Sequence, residues 1–107
     1  MDLVVLSYEI ARRLPEKERF GPISQIQRAA ASIPANIAEG HGRWHLGDKL
    51  HHFSVANGSA KELETHFLIA ERLLYVQRVE IIPALDLSAE VGKMLSALAQ
   101  KLSARRR

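Results

Sequence analysis

Between residues 53 and 74 the chain places Phe53, Ala56, Ala60, Leu63, Phe67, Ala70 and Leu74 at alternating spacings of three and four. Positions with that rhythm share one side of an α-helix, whereas a half-buried strand repeats every two residues. The pattern therefore predicts a long helix over 46–77 whose apolar stripe has to be buried against other helices.

Three shorter stripes supply the partners. Leu3, Leu6, Ile10 and Leu14 predict a helix over 2–16 with Asp2 as its N-cap. Ile23, Ile26, Ala30, Ile33 and Ile37 predict a second over 22–39, with Pro22 at its first position. Leu87, Val91, Met94, Leu98 and Leu102 predict a fourth that starts near Pro83. Pro15 and the charged run Glu16-Lys17-Glu18-Arg19 close the first helix, and Gly40 and Gly42 read as the stop of the second. Pro34 falls inside the second stripe, which continues past it, so a kink is expected there rather than an end.

Short connections make successive helices antiparallel neighbours. The fold predicted is an all-α, antiparallel up-down-up-down four-helix bundle, a single domain over residues 1–104 followed by a basic tail at 105–107. In that order Ala29, Ala30, Ala31 and Ser32 face Gly58, Ser59 and Ala60, small residues against small, so bulk at Gly58 should force two helices apart. At 107 residues, 47% hydrophobic and 25% charged, the chain has material for one core only, and self-association would add burial to a modestly stable domain.

The chain has no cysteine, which removes disulfides, thiolate nucleophiles and sulfur ligands for zinc, and suits a reducing cytosol. An acid at Asp2, where a secretory leader carries basic residues, and the lack of an apolar run of about 18 lead us to expect a cytoplasmic protein with no membrane span. Three of the 15 basic side chains are Arg105, Arg106 and Arg107, and the remaining 12 equal the 12 acidic ones. The net charge of +3 is thus a property of the tail, over a body that is electrically balanced.

Two stretches, Gln25-Ile26-Gln27-Arg28-Ala29-Ala30-Ala31-Ser32-Ile33-Pro34-Ala35-Asn36-Ile37-Ala38-Glu39-Gly40 and Ala56-Asn57-Gly58-Ser59-Ala60-Lys61-Glu62-Leu63-Glu64, resemble a bacterial family known as four helix bundle proteins. Its members include proteins encoded in intervening sequences of large-subunit ribosomal RNA genes and the accessory variability determinant of diversity-generating retroelements. The resemblance spans about Leu6 to Leu102. It implies a bundle assembled as a ring of five protomers and, less uniformly, RNA or DNA binding and docking onto a reverse transcriptase or another protein.

Arg28, Asn36, Glu39, Ser59 and Glu62 lie in those stretches and interrupt otherwise apolar helices. One reading pairs them between helices two and three, Arg28 with Glu62 for example, because charges beside a core need partners to offset desolvation. The other makes Asn36 and Glu39 part of a pocket or a subunit contact near Pro34. His45, Asp48 and His52 fall on one helical face and have the chemistry of metal ligands, but exposed histidines beside a loop are commoner than ligands, and no metal is expected. No nucleophile has an adjacent base and no Gly-rich phosphate loop follows a strand, so neither catalysis nor a cofactor is expected.

Antiparallel order gathers the end of helix two, the start of helix three and the end of helix four at one pole. Arg43, Trp44, Lys49, Arg105, Arg106 and Arg107 are the candidate nucleic-acid contacts there, together with Lys101 and His41, His45, His51 and His52, against Asp2, Glu39 and Asp48. Cations interleaved with an aromatic suit phosphate contact and base stacking, and repetition around a ring would add avidity. The sequence thus favours a non-enzymatic homo-oligomeric accessory protein that binds nucleic acid or a nucleic-acid-processing protein. The alternative is a protein-interaction scaffold whose charge serves solubility alone.

Overall fold

A computed structural model describes residues 2–105. Four helices, α1 (Asp2–Arg12), α2 (Ser24–Gly42), α3 (Leu46–Arg72) and α4 (Arg78–Arg105), form the antiparallel bundle, with no strand among the described residues. A 3-10 turn at Glu16–Glu18 and a π-helical turn at Arg19–Ile23 join α1 to α2. Neighbours run in a cycle, α1 with α2, α2 with α3, α3 with α4 and α4 with α1, and the α2–α3 seam is the most extensive. No helix among the described residues is long and apolar enough to cross a membrane.

The predicted stripes account for most of the interior. Ile26, Ala30, Ala56, Ala60, Leu63 and Phe67 are fully or almost fully buried, and Ile33 and Phe53 retain only a trace of exposure. The ends of the elements differ from the sequence expectation. The first helix stops at Arg12, because Pro15 takes up an extended conformation and the chain turns into the 3-10 segment. Leu14 still reaches the core from outside the helix. Pro22 lies within the π-helical turn rather than at the first position of α2. α2 runs unbroken through Pro34 and also through Gly40, ending at Gly42.

Gly40 therefore does not stop its helix. A Cβ there would stand 2.5 Å from Cε1 of Phe53, so a side chain larger than hydrogen would strike the ring that packs across from it. Gly58 shows the reverse. It is exposed, and a Cβ would meet nothing within 4 Å, so the expected close approach of backbones at that residue does not occur. Ser32 and Ser59 do face each other, with hydroxyl oxygens 2.9 Å apart.

α3 ends five residues before the predicted limit, at Arg72. Tyr75 N–H donates to the Ala70 carbonyl and Leu74 N–H to that of Glu71, the two bonds of a Schellman cap. Leu74 occupies the left-handed position of that cap with φ 65°, where glycine is usual, and is 90% exposed. It is the seventh position of the sequence stripe and lies outside the core.

α4 begins five residues before Pro83. Glu80 holds the start by accepting the Gln77 N–H at 2.7 Å while its own N–H bonds the Gln77 carbonyl, so Pro83 sits within the helix. The inward line is Ile81, Ala84, Ser88, Gly92 and Leu95, with Leu87, Val91, Leu98 and Leu102 flanking it half-buried. Met94, assigned to the stripe from sequence, is 52% exposed. Ser88 is buried because its hydroxyl donates to the Ala60 carbonyl and lies 3.0 Å from a Glu64 carboxylate oxygen.

The core has two parts. A large cluster takes residues from all four helices, among them Leu3, Ile10, Ile26, Leu63, Phe67 and Ile81. A small one is built on Phe53, Ala56 and Leu95, with Ile37, Val91, Leu98 and Leu102 packed around it and no residue from α1. The reason is length: α1 has 11 residues and spans roughly 16 Å, against about 40 Å for the 27 residues of α3. One end of the molecule is a four-helix bundle and the other is three helices.

Candidate nucleic-acid interface

The three-helix end carries the expected pole. Ile37, Phe53, Leu98 and Leu102 pack together, and Leu50 and Ser103 line one shallow groove, so the end of α4 lies beside the start of α3 and the end of α2. The α2–α3 turn, Arg43 to His45, projects Trp44 into solvent at 95% exposure. An indole this exposed contributes nothing to the core, and its ring is open to contact from outside.

The cations around it divide into two groups. Lys49 donates to the carbonyls of Gly40 and His41 at 3.3 and 3.1 Å, which caps the C-terminus of α2 and places positive charge at the negative end of its dipole. Arg43 pairs with Glu39 one turn back, at 3.1 Å. Both side chains of that pair are about half exposed, and an i,i+4 pair of this kind is worth only about 0.3–0.5 kcal/mol. Arg43 can leave it for a phosphate at little cost. Lys101 and Arg105 are exposed on the last turns of α4 and form no ion pair among the described residues. Arg106 and Arg107 lie outside the described residues.

The polar residues of the two sequence stretches separate along the α2–α3 seam. Asn36 Nδ2 donates to the Ser32 carbonyl at 2.9 Å and to the Ser32 hydroxyl at 3.0 Å. Ser59 donates to the same hydroxyl, and Asn36 Oδ1 lies 3.0 Å from His52 Nδ1, which carries the proton in that contact. His52, Asn36, Ser32 and Ser59 therefore form one chain of hydrogen bonds linking α2 to α3, so the polar atoms that enter the seam are satisfied. The sequence reading placed His52 at the pole and among possible metal ligands, not beside Asn36, and it did not include Ser32 in the polar network; the i,i+4 spacing of Ser32 and Asn36 was the available signal.

Arg28 and Glu62 behave otherwise. Both are exposed and line a shallow cleft with Gln25, Ser32 and Ser59, but they make no ion pair with each other; Glu62 turns instead toward His66 at 3.6 Å. The pairing expected between them is not formed, because neither group is buried deeply enough to require it. Glu39 faces solvent with Arg43 and takes no part in the network. His45 and Asp48 are exposed while His52 is committed to Asn36, and no group of three or more His, Asp and Glu side chains among the described residues is placed to hold a metal ion. Asp2 opens α1, whose buried residues Leu3 and Ile10 belong to the large cluster.

Fold and geometry define a small all-α bundle with one open, aromatic-tipped, cation-bearing end. The chain belongs to the 23S rRNA-intervening sequence protein family, which it matches over residues 1–97, in agreement with the resemblance read from its two stretches. Its structure is similar to that of a protein of unknown function from the S23 ribosomal protein family of Bacteroides thetaiotaomicron VPI-5482, with a TM-score of 0.74 and 26% identity over 91% of this chain and 97% of that one. No curated protein matches the chain.

Proposed function

We propose that this protein is a non-enzymatic accessory factor that self-associates and binds nucleic acid through its three-helix end. The observation that carries the reading is Trp44, almost fully exposed at the tip of the α2–α3 turn beside Arg43 and on the same end as Lys101 and Arg105. A base stacked on an exposed aromatic contributes about 1–3 kcal/mol, and flanking cations add a salt-dependent phosphate component. A single protomer has few such groups, and a ring of five copies would multiply them.

Self-association is supported by the opposite end. Leu68, Ile69 and Leu73 line an apolar groove of about 300 Å³ on α3, and Leu74, Val79, Ile82 and Phe20 are exposed around the α3–α4 turn and the α1–α2 connection. Exposed apolar side chains gathered at one end of so small a protein support an association face there. The same surface favours the second reading, a scaffold for a protein partner such as a reverse transcriptase, in which nucleic acid is not bound directly.

Trp44 is the only tryptophan, so fluorescence excited at the red edge, where Tyr8 and Tyr75 do not absorb, reports its surroundings alone. Titration with a 12-nucleotide single strand of RNA or DNA should change the emission, and log affinity should fall linearly with log salt. Arg43→Ala and removal of residues 105–107 should each weaken binding and flatten that slope. Unchanged emission and mobility at low salt, with single and double strands alike, would eliminate nucleic acid and leave the scaffold. Light scattering on the eluting peak should give a multiple of the 12.0 kDa protomer mass, five for the expected ring.

A further inference from the structure

We propose that the outer face of α3 seats α1 of a second copy of this chain, an inference that rests on the self-association read above and names its contact. The apolar groove on α3 is lined by Thr65, Leu68, Ile69, Arg72 and Leu73, all from that one helix. The first four stand at i, i+3, i+4 and i+7, the diamond of side chains that receives a single knob from a neighbouring helix. No helix of the same chain fills it. α3 turns Phe53, Ala56, Ala60, Leu63 and Phe67 inward, while Leu68, Ile69 and Leu73 stay exposed.

A head-to-tail knob has to be an exposed apolar residue on a helix remote from the hole. α1 occupies the corner of the bundle diagonal to α3, since its neighbours are α2 and α4, and its outer surface presents Val5, 56% exposed, with Tyr8 one turn on. Charge favours α1 over Val79 and Ile82, the exposed apolar residues at the start of α4. Asp2 and Glu9 flank Val5 on the exposed side of α1, and Lys61 and Arg72 flank the hole on the exposed side of α3. None of these four forms an ion pair among the described residues. Val79 instead follows Arg78, a cation like those of the hole and already paired with Glu71. Acids around the knob and bases around the hole are complementary, and they disfavour knob against knob or hole against hole.

Copies around a ring of five run broadly in the same sense, so α1 lies along α3 of the next copy as a parallel helix. With Val5 in the hole, Glu9 stands one turn further, level with Arg72, and Asp2 one turn before, toward Lys61. Tyr8 then covers Leu73, and Arg12 lies past the end of α3. Because the two faces occupy opposite corners, one neighbour cannot use both. Each copy gives α1 to one neighbour and α3 to another, and a pair of copies leaves a face uncovered at each end.

That asymmetry supplies the test, read by light scattering on the eluting full-length protein. The wild type should be larger than a dimer. Val5→Lys blocks the knob and Leu68→Lys the hole; both positions are exposed, so far-UV circular dichroism should be unchanged, and each variant alone should associate about 30-fold more weakly or worse, as on losing a central anchor. Mixed in equal amounts, the two variants retain one intact knob and one intact hole, and the blocked pair carries like charge, so the mixture should stop at a dimer of twice the 12.0 kDa protomer mass. Should either lysine variant fail to fold, a charge exchange at the surface makes the same test: Arg72→Glu should weaken association about two- to fivefold, and Glu9→Lys in the same chain should restore it. An assembled wild type that neither lysine variant disrupts, or a mixture with no dimer, would overturn the contact and leave self-association standing through another face. A wild type that is monomeric at every concentration would overturn both.

Discussion

The two ends of this bundle solve different problems. Where α1 covers the other three helices, the interior is a large apolar cluster and three of the rim cations meet carboxylates of the same chain, Arg13 with Glu80, Arg19 with Glu16 and Arg78 with Glu71, against one such arginine, Arg43 with Glu39, at the other end. Beyond the reach of α1, three helices share a small cluster around Phe53 and Leu95, and Lys101 and Arg105 stay unpaired among the described residues. The first end concentrates the burial that holds the fold. The second keeps charge and an indole in water, which costs the protein little because few neighbours depend on them there.

Deleting a ring at each end is the strongest way to challenge this contrast. Phe67→Ala, at a fully buried position of the large cluster, should cost about 3–5 kcal/mol in urea denaturation. Phe53→Ala should fall at or below the lower limit of that range, since a three-helix end can collapse onto the gap more easily. Equal losses at the two positions would mean that the ends are equally cooperative.

A smaller effect tests the seam at the open end. Gly40→Ala should cost about 1–3 kcal/mol through overpacking against Phe53, and Phe53→Leu in the same chain should recover much of it. Additive losses in that double-mutant cycle would show that the ring and the glycine do not compete for space. The smallest change has the opposite sign and lies at the covered end. Leu74→Gly removes a side chain that is almost entirely in water and relieves a positive φ, so it should raise the thermal midpoint by an amount equivalent to about 1 kcal/mol.

The same contrast explains what could be read in the sequence. Stripes of large apolar residues, such as Ile26 to Ile33 and Phe53 to Phe67, announce their burial by type and spacing, and they led to the fold. α4 was read in a shifted register because its inward residues include Ala84, Ser88 and Gly92, which are small and carry little hydrophobic signal, while Pro83 imitates a helix start. Gly40 was read as a stop because the demand for a bare Cα comes from Phe53, thirteen residues away on another helix. Arg28 and Glu62 were paired on the assumption that they were buried, and exposure removes the need for a partner.

Of the candidate site, Trp44 and Arg43 were legible from their place in a predicted turn, and Ser32 became part of the network only when Ser59 and Asn36 were seen to bond it. The packing of Asn57 against Gly92, 35 positions away on α4, was not legible at all, because no local spacing announces a contact between two helices.

Native-state hydrogen exchange on the full chain tests the division of the molecule most directly. Amides around Ile26 to Ile33, Ala60 to Ala70 and Ile81 to Ser88 should exchange only through global unfolding, while those of residues 40–52 and 98–105 should exchange through a separate opening of lower free energy. One common protection value along the whole of α3 and α4 would contradict the account.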